Sequence, residues 1–589
     1  MSAIFGWLGA LDAVWLRPMH ERLRHRGAGL HAIELDGCGW MAVADLQPIR
    51  CAADDGALHA IVDGALYTTG TDRVGPESAP AAQWVLESYR RRQATLIDEL
   101  NGEFALALWD GRRRALVLAR DLAGARPIYW TVLASGTVAF ASEYKALLAL
   151  PGFDFAVDRE MLQQLQYMKH LPSTRTLFRA VHSVPPGAAV TLTPEGDIRE
   201  VARAPVPPLS VSREPQAELE QRIIDSFCEA VSARARAVPR IGVALSGGID
   251  SIGVAFACRK AIPDAPLHTF TAGSGPDDPE VQTAALVSGR LGAHHHIVTV
   301  PASAVVERLP QAIWHVEAPI ARSETVQFLE IGRAAQGVVD AMLTGAAADA
   351  LYAGMPNHKI LRLYERVPPL RRGLHEFHSM TQTGYLPSSL TGRLMRAAYF
   401  KGALPDAPRI AGAAHEPALR ELPPLGPEFV NEYLHSDYPE HVARWLPKVE
   451  RTLAAFGVGF MSPFLDNRCA QVAFTVPARL KINGWKEKYI LRRALRTLVG
   501  EELTRFPKFP MRMKYDRTFA DHLDELVGQY LSPRRVRARG LFDPATLEPV
   551  RHYRRGGRYT AEGAMRAWTC VGTEIWAEQF LDRRGEPLE

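Results

Sequence analysis

Cysteine is scarce in this chain: 589 residues hold six, Cys38, Cys51, Cys228, Cys258, Cys469 and Cys570, none in CxxC spacing. The scatter argues against a zinc site or a disulfide framework and leaves reduced thiols in a cytoplasmic protein as the expectation. Long apolar runs are missing too, so no segment is expected to span a bilayer. The opening MSAIFGWLGALDAVW has no basic leader ahead of its apolar residues and does not read as a signal peptide. Nor is there a surplus of one charge. A formal net charge of +4 over this length gives no reason to expect nucleic acid, and the arginine clusters at 112–114 and 534–539 read as solvated faces. Internal repeats and extended low-complexity segments are absent.

What is present is the composition of an ordinary globular protein, 47% hydrophobic and 23% charged, in a chain too long for one core. The first 200 or so residues carry short strand-like segments separated by turns, among them HAIELDG, ALHAIVDGALYTT, FALALWDG, RALVLARD, GTVAFASE and AAVTLTPEG, spaced as in packed sheets. Residues 204–216 are proline-rich without apolar period and read as a linker. After it, helical stretches alternate with the short apolar strands IGVALS, LHTFTAG, HHIVTV and DAMLTGA, which predicts a parallel α/β sheet. The expected division is a domain at 1–203, the linker at 204–216 and a second domain at 217–589.

One stretch carries chemistry. GVALSGGIDSIGVAFACRK, residues 242–260, runs an apolar strand into Ser246, Gly247 and Gly248 and then into an apolar helix. Glycines at such a junction let backbone N–H groups converge at a helix N-terminus, a seat for phosphate oxygens. A carboxylate, Asp250, beside an anion site implies Mg²⁺ bridging it to phosphates. A plain tight turn is the alternative for the Gly-Gly pair alone. The whole string SGGIDS resembles the pyrophosphate loop of ATP pyrophosphatases, which split ATP to AMP and pyrophosphate.

Taken in order, MSAIFGWLG, LRHRGAG, DGALYTTG, LNGEFALALWD, ARDLAGARPIYW, VAFASEYKALL and SVPPG, then SGGIDS, LTGAAADALYAG, MSPFLDNR and KEKYILRRAL, the chain resembles the asparagine synthetase family over nearly its whole length. The resemblance implies an α+β N-terminal-nucleophile (Ntn-type) αββα sandwich of the glutamine amidotransferase type, followed by a parallel α/β ATP-pyrophosphatase synthetase domain using ATP and Mg²⁺. In such amidotransferases residue 2 is a nucleophilic cysteine; here it is Ser2. An NGEIYN-like turn, whose asparagine and glutamate hold the glutamine head group, is here Asp63-Gly64-Ala65-Leu66-Tyr67-Thr68. Loss of such contacts predicts a retained scaffold without glutaminase activity, in which Arg24, His25 and Arg26 keep packing or interface roles.

For the second domain the resemblance implies that Ser246, Gly247, Gly248 and Ser251 cradle pyrophosphate, with Gly345 nearby and Leu245 flanking the adenine. Asp250 and Asp349 would hold Mg²⁺. Glu280 would join the metal shell or be a surface carboxylate at a helix start. Lys488 and Lys508 would reach the phosphates or the tetrahedral intermediate. The family's GEGxDE stretch reads Gly345-Ala346-Ala347-Ala348-Asp349-Ala350, so the metal aspartate stays and both glutamates go. Either Glu450 or Glu440 would take the amine's proton as general base, or both are helix-surface carboxylates. Residues 355–440 would form a lid, a peptide groove or a plain insertion. An enzyme that activates a carboxyl without an ammonia supply needs an amine from its substrate, and among relatives this looks most like the lasso-peptide macrolactam synthetases. The expected partners are a precursor peptide and a leader peptidase, with no membrane and no nucleic acid. A β-lactam-type ligase, an ammonia-dependent asparagine synthetase and a non-catalytic nucleotide-binding scaffold stay open as alternatives.

Overall fold

The computed structural model describes residues 2–35, 37–45, 52–54, 56–67, 81–366, 408–413, 428–506, 517–554 and 561–587. Two antiparallel sheets of six strands build the N-terminal half. In spatial order the first runs His182–Ser183, Tyr129–Val132, Val138–Ala141, Ser2–Leu8, Gly39–Asp45, Gly29–Glu34, and the second Ile198–Arg203, Ala188–Leu192, Ala115–Arg120, Asn101–Asp110, Leu58–Tyr67, Ala52–Asp54. Alternation decides which side chain faces where. On Ser2–Leu8, Ile4 and Leu8 turn inward against Ile61, Ala107 and Leu118 of the facing sheet. Ala3, Phe5 and Trp7 turn outward with Leu16, Met19 and Leu23 of the helix Leu16–Leu23. On the far side, Ala82, Val85, Leu86 and Tyr89 recur at helical spacing along Ala81–Arg92 and cover Ala60, Val62, Phe104 and Leu106. The layers are therefore αββα.

The last strand ends at Arg203 and the next element is the helix Gln216–Ala235. Beyond it lies a wholly parallel five-stranded sheet in the spatial order His294–Thr299, His268–Gly273, Ile241–Ala244, Ala341–Leu343, Gly459–Met461. The chain lays two strands outward from Ile241–Ala244, then returns to add two on its other side. Such a reversal opens a crevice beyond the strand ends where ligands bind in open α/β sheets. Loops 245–248 and 344–347 both leave at this point. The apolar layer outside the first antiparallel sheet runs without a break into the core of the second half. Among the described residues no helix is long and apolar enough to cross a membrane, and the five described cysteines are free.

Candidate active site

The loop after Ile241–Ala244 is locked by its own serines. Ser251 Oγ accepts from Ser246 N at 3.1 Å, lies 3.1 Å from Ser246 Oγ and donates to Gly248 O at 3.0 Å. Gly247 sits at φ +66°, a left-handed conformation that favours glycine. Gly248 starts the helix Ile249–Ala261 with no side chain capping it, leaving N–H groups of the first turn for a ligand. Across the crevice Gly345 closes in: a Cβ there would meet Asp250 Cβ at 2.8 Å. Leu245 is buried in the core, its N–H on Phe270 O at 2.9 Å.

Lys488 is the hinge of the charge pattern. It precedes the helix Tyr489–Val499 at φ +53°, is 1% exposed, and its Nζ contacts Asp250 Oδ2 and, at 2.6 Å, Asp349 Oδ1. Burial works against its charge, but Asp250 and Asp349 outweigh it and hold the ammonium above its ordinary pKa. The close approach depends on Gly354, where a Cβ would lie 1.9 Å from Asp349 Oδ1 and 2.1 Å from Lys488 Cε. One ammonium cannot neutralise two carboxylates, and Asp250 Oδ1 is buried without a hydrogen-bond partner. Asp250 and Asp349 are therefore the residues that would hold a further cation here, one that would offset the negative charge of phosphates.

Glu280 begins the helix Pro279–Arg290, 6% exposed, with Oε1 unpartnered; burial, then Asp278, push its carboxyl up to about 8. The start of this helix packs beside the loop, since a Cβ on Gly247 would lie 3.4 Å from Glu280 O. Among the described residues no three His, Cys, Asp or Glu side chains are grouped to hold a metal, so Glu280 does not complete a ligand set with Asp250 and Asp349. The expected surface position fails as well, because the side chain is buried. Lys508 and most of the 355–440 segment lie outside the described residues.

Glu450 requires correction. On the helix Leu446–Ala454 it is fully buried at the contact between the two halves, its oxygens on Arg26 Nη2 at 2.6 Å and Arg126 Nη1 at 3.2 Å. Both of its oxygens are thus occupied by guanidinium groups at the contact between the halves. Glu440 is likewise engaged, accepting from Ser173 N at 3.0 Å and Ser173 Oγ at 2.5 Å. Neither faces the loop as a free base. Of the expected interface residues, Arg26 bridges the halves, His25 meets Glu143 at 3.2 Å, and Arg24 is exposed beside Glu21.

Arg26 and Arg126 belong to a buried cluster that the sequence did not reveal. Asp63 accepts from Ser2 Oγ at 3.1 Å, Arg126 at 2.7 Å, Ser142 Oγ at 3.0 Å and Arg26 at 3.4 Å. Glu143 bonds Arg26 and Lys145; burial pushes its carboxyl up, but Lys145, His25 and Arg26 together hold it well below the usual range. Glu317 accepts from Lys145 N at 2.6 Å and pairs with Arg451 at 2.8 Å, and Arg451 reaches Tyr129 Oη at 2.8 Å.

Fold and site together define a two-domain protein: an amidotransferase-type sandwich joined to a parallel-sheet domain with an ATP-pyrophosphatase loop at its switch point. The chain belongs to the asparagine synthase family, whose pattern matches residues 222–578, and a glutamine amidotransferase domain matches residues 71–201. It is 25% identical over 535 residues to asparagine synthetase [glutamine-hydrolyzing] 1 of Bacillus subtilis, covering 86% of this chain and 82% of that one. It is 28% identical over 323 residues to carboxyethyl-arginine beta-lactam-synthase of Streptomyces clavuligerus, covering 54% and 59%. A glutamine phosphoribosylpyrophosphate amidotransferase from B. subtilis aligns over 51% of this chain and 91% of its own at 12% identity, but with a TM-score of 0.26 it adds nothing to the fold read from the sheets. The chain is thus a member of an ATP-using family of carbon–nitrogen ligases.

Proposed function

We propose that this ligase uses ATP and Mg²⁺ to adenylate an Asp or Glu side-chain carboxyl of a precursor peptide, and that the peptide's own N-terminal amine then closes a macrolactam. AMP and pyrophosphate leave, and the amidotransferase-like half supplies no ammonia. The observation that carries this reading is the state of Asp63. It stands where amidotransferases carry an asparagine for the glutamine head group, and both its oxygens are already taken by Ser2, Ser142, Arg26 and Arg126. A pocket satisfied from within offers little to a charged ligand, and Ala65 brings no acceptor where a glutamate would stand.

Without ammonia from glutamine, the amine must come with the substrate. A tethered amine gains the high effective concentration of an intramolecular reaction. Ala346, small and buried beside the Asp349 turn, carries no group for acid or base work. Ser246, Gly247, Gly248 and Ser251 would seat the leaving pyrophosphate. Asp250 and Asp349 would hold Mg²⁺, which spreads the developing negative charge. Lys488 would exchange carboxylate oxygens for phosphate oxygens. A protease that removes a leader from the precursor is the partner this chemistry requires when the leader is attached.

The test is mass spectrometry of a candidate core peptide incubated with the protein, ATP and Mg²⁺. Loss of one water from the peptide with AMP and pyrophosphate formed is the expected result. A second reading, glutamine-dependent asparagine synthesis, is favoured by the match to a glutamine-hydrolysing asparagine synthetase over 86% of this chain. Asparagine formed from aspartate and glutamine, with no change in the peptide, would establish it instead.

A further inference from the structure

We infer that Glu103, a buried carboxylate of the amidotransferase-like half, is a positioning residue for the nucleotide site, acting through Ser462 and the carbonyl of Ala346. The inference rests on the reading that Asp349 serves that site. Glu103 lies near the start of the strand Asn101–Asp110, 1% exposed. Its Oε1 accepts from Arg234 Nε at 2.9 Å and from the backbone N–H of Ser462 at 3.2 Å. Ser462, fully buried, turns its Oγ the other way and donates to Ala346 O at 2.8 Å. Ala346 opens the turn that passes through Ala347, left-handed at φ +70°, to Asp349. That turn carries one of the two carboxylates on Lys488.

Other contacts keep this path from sliding. Arg234 also holds Asp466 at 3.0 Å and stacks 4.3 Å over the Tyr67 ring, while Asn101 Nδ2 donates to Asp466 at 3.1 Å. The motif SPFLDNR is thus gripped from both halves, and its serine is the link that continues to the nucleotide side. An unstrained alanine avoids φ +70°, so the turn needs an outside restraint to keep its shape. The Ser462 hydroxyl bonds the carbonyl immediately before the strained residue. A glutamate remote from the crevice in sequence thereby fixes where Asp349 points.

The test uses the full chain and Mg²⁺-ATP as the probe, with affinity read by calorimetry and the Mg²⁺ midpoint read at fixed ATP. Ser462→Ala is expected to weaken binding about tenfold, the scale of one buried hydrogen bond, and to raise the Mg²⁺ midpoint. Ser462→Thr, which keeps the hydroxyl, should return both to within about twofold of wild type. Glu103→Gln keeps the accepting oxygen but takes the charge partner from buried Arg234, so the folded variant should bind Mg²⁺-ATP within about twofold of wild type at a cost in stability, whereas Glu103→Leu should follow Ser462→Ala. If Ser462→Ala does not fold, Ser462→Cys replaces it and should fall between wild type and that loss. A folded Ser462→Ala with wild-type affinity and Mg²⁺ midpoint overturns the relay alone. A wild-type protein that does not bind Mg²⁺-ATP overturns the proposed function and the relay with it.

Discussion

Asp63 and Asp250 are both aspartates held against serine-bearing backbone, one in each half of the molecule, and they differ in what they have left to offer. Two hydroxyls and two guanidinium groups occupy the oxygens of Asp63. Asp250 shares one ammonium with Asp349 and keeps Oδ1 buried and unpartnered. Buried polar groups are normally satisfied, so an unsatisfied one beside an excess of like charge marks a place built to receive something. Asp63 is 1% exposed and its oxygens are taken, whereas Asp250 is half-buried at the crevice with one oxygen still open.

The sharpest way to break this contrast is Lys488→Met. Asp250 and Asp349 would then lose the ammonium they share, and pyrophosphate release should fall by about a thousandfold, the range expected for loss of a positioned charge at a reacting phosphate. Added Mg²⁺ should raise the thermal midpoint of the variant more than that of wild type. Glu450→Gln probes the other side. It leaves Arg26 and Arg126 short of a buried partner and should lower stability by about 3 kcal/mol in denaturant unfolding. Turnover per folded molecule should hardly change; a variant as stable as wild type but without turnover would restore Glu450 as the base.

Acid should act on the fold through Asp466. Burial works against the Asp466 carboxylate, but Arg234 and Arg468 outweigh it and hold its pKa down to about 2. A carboxyl lowered on folding stabilises above its unfolded pKa and loses that contribution as pH falls through the folded one. About 2 kcal/mol should therefore disappear between pH ~4 and ~2, read by unfolding midpoints across that window. Glu143 acts in the same sense, and Glu103, pushed up by burial, acts in the opposite one. The smallest effect is expected from Ala347→Gly, which relieves the φ of +70° and should add about 1 kcal/mol in the same unfolding measurement.

How much of this could be read in the sequence follows from distance along the chain. Ser246, Gly247, Gly248, Asp250 and Ser251 form one local string whose turn, strand and helix predict each other, and the strand-like segments of the first half paired as their alternation requires. The nearly unbroken apolar strand Gly39–Asp45 carried no such alternation and was not singled out. Glu450 was misread because its partner Arg26 is 424 residues away, and no local pattern tells which face of a short helix meets another domain. The SPFLD motif was visible, but its meaning depended on Glu103, 359 residues from Ser462. Glu280 shows the same limit: a charged residue at a helix start ordinarily faces water, and only the packed fold shows it buried.

The buried cluster between the halves has a consequence for inheritance. The N-terminal half brings Arg26, Arg126 and Lys145 with Asp63 and Glu143, and the synthetase half brings Arg451 on Glu317 and Glu450 on Arg26 and Arg126. Each half alone is unbalanced by one charge, and only the pair is neutral. A chimera that joins this synthetase half to the N-terminal half of another family member would bury a net charge unless the newcomer carried the same surplus. The boundary thus acts as a charge-matching key between the halves, and a neutral residue at Asp63 would leave Arg26 and Arg126 with one buried carboxylate fewer.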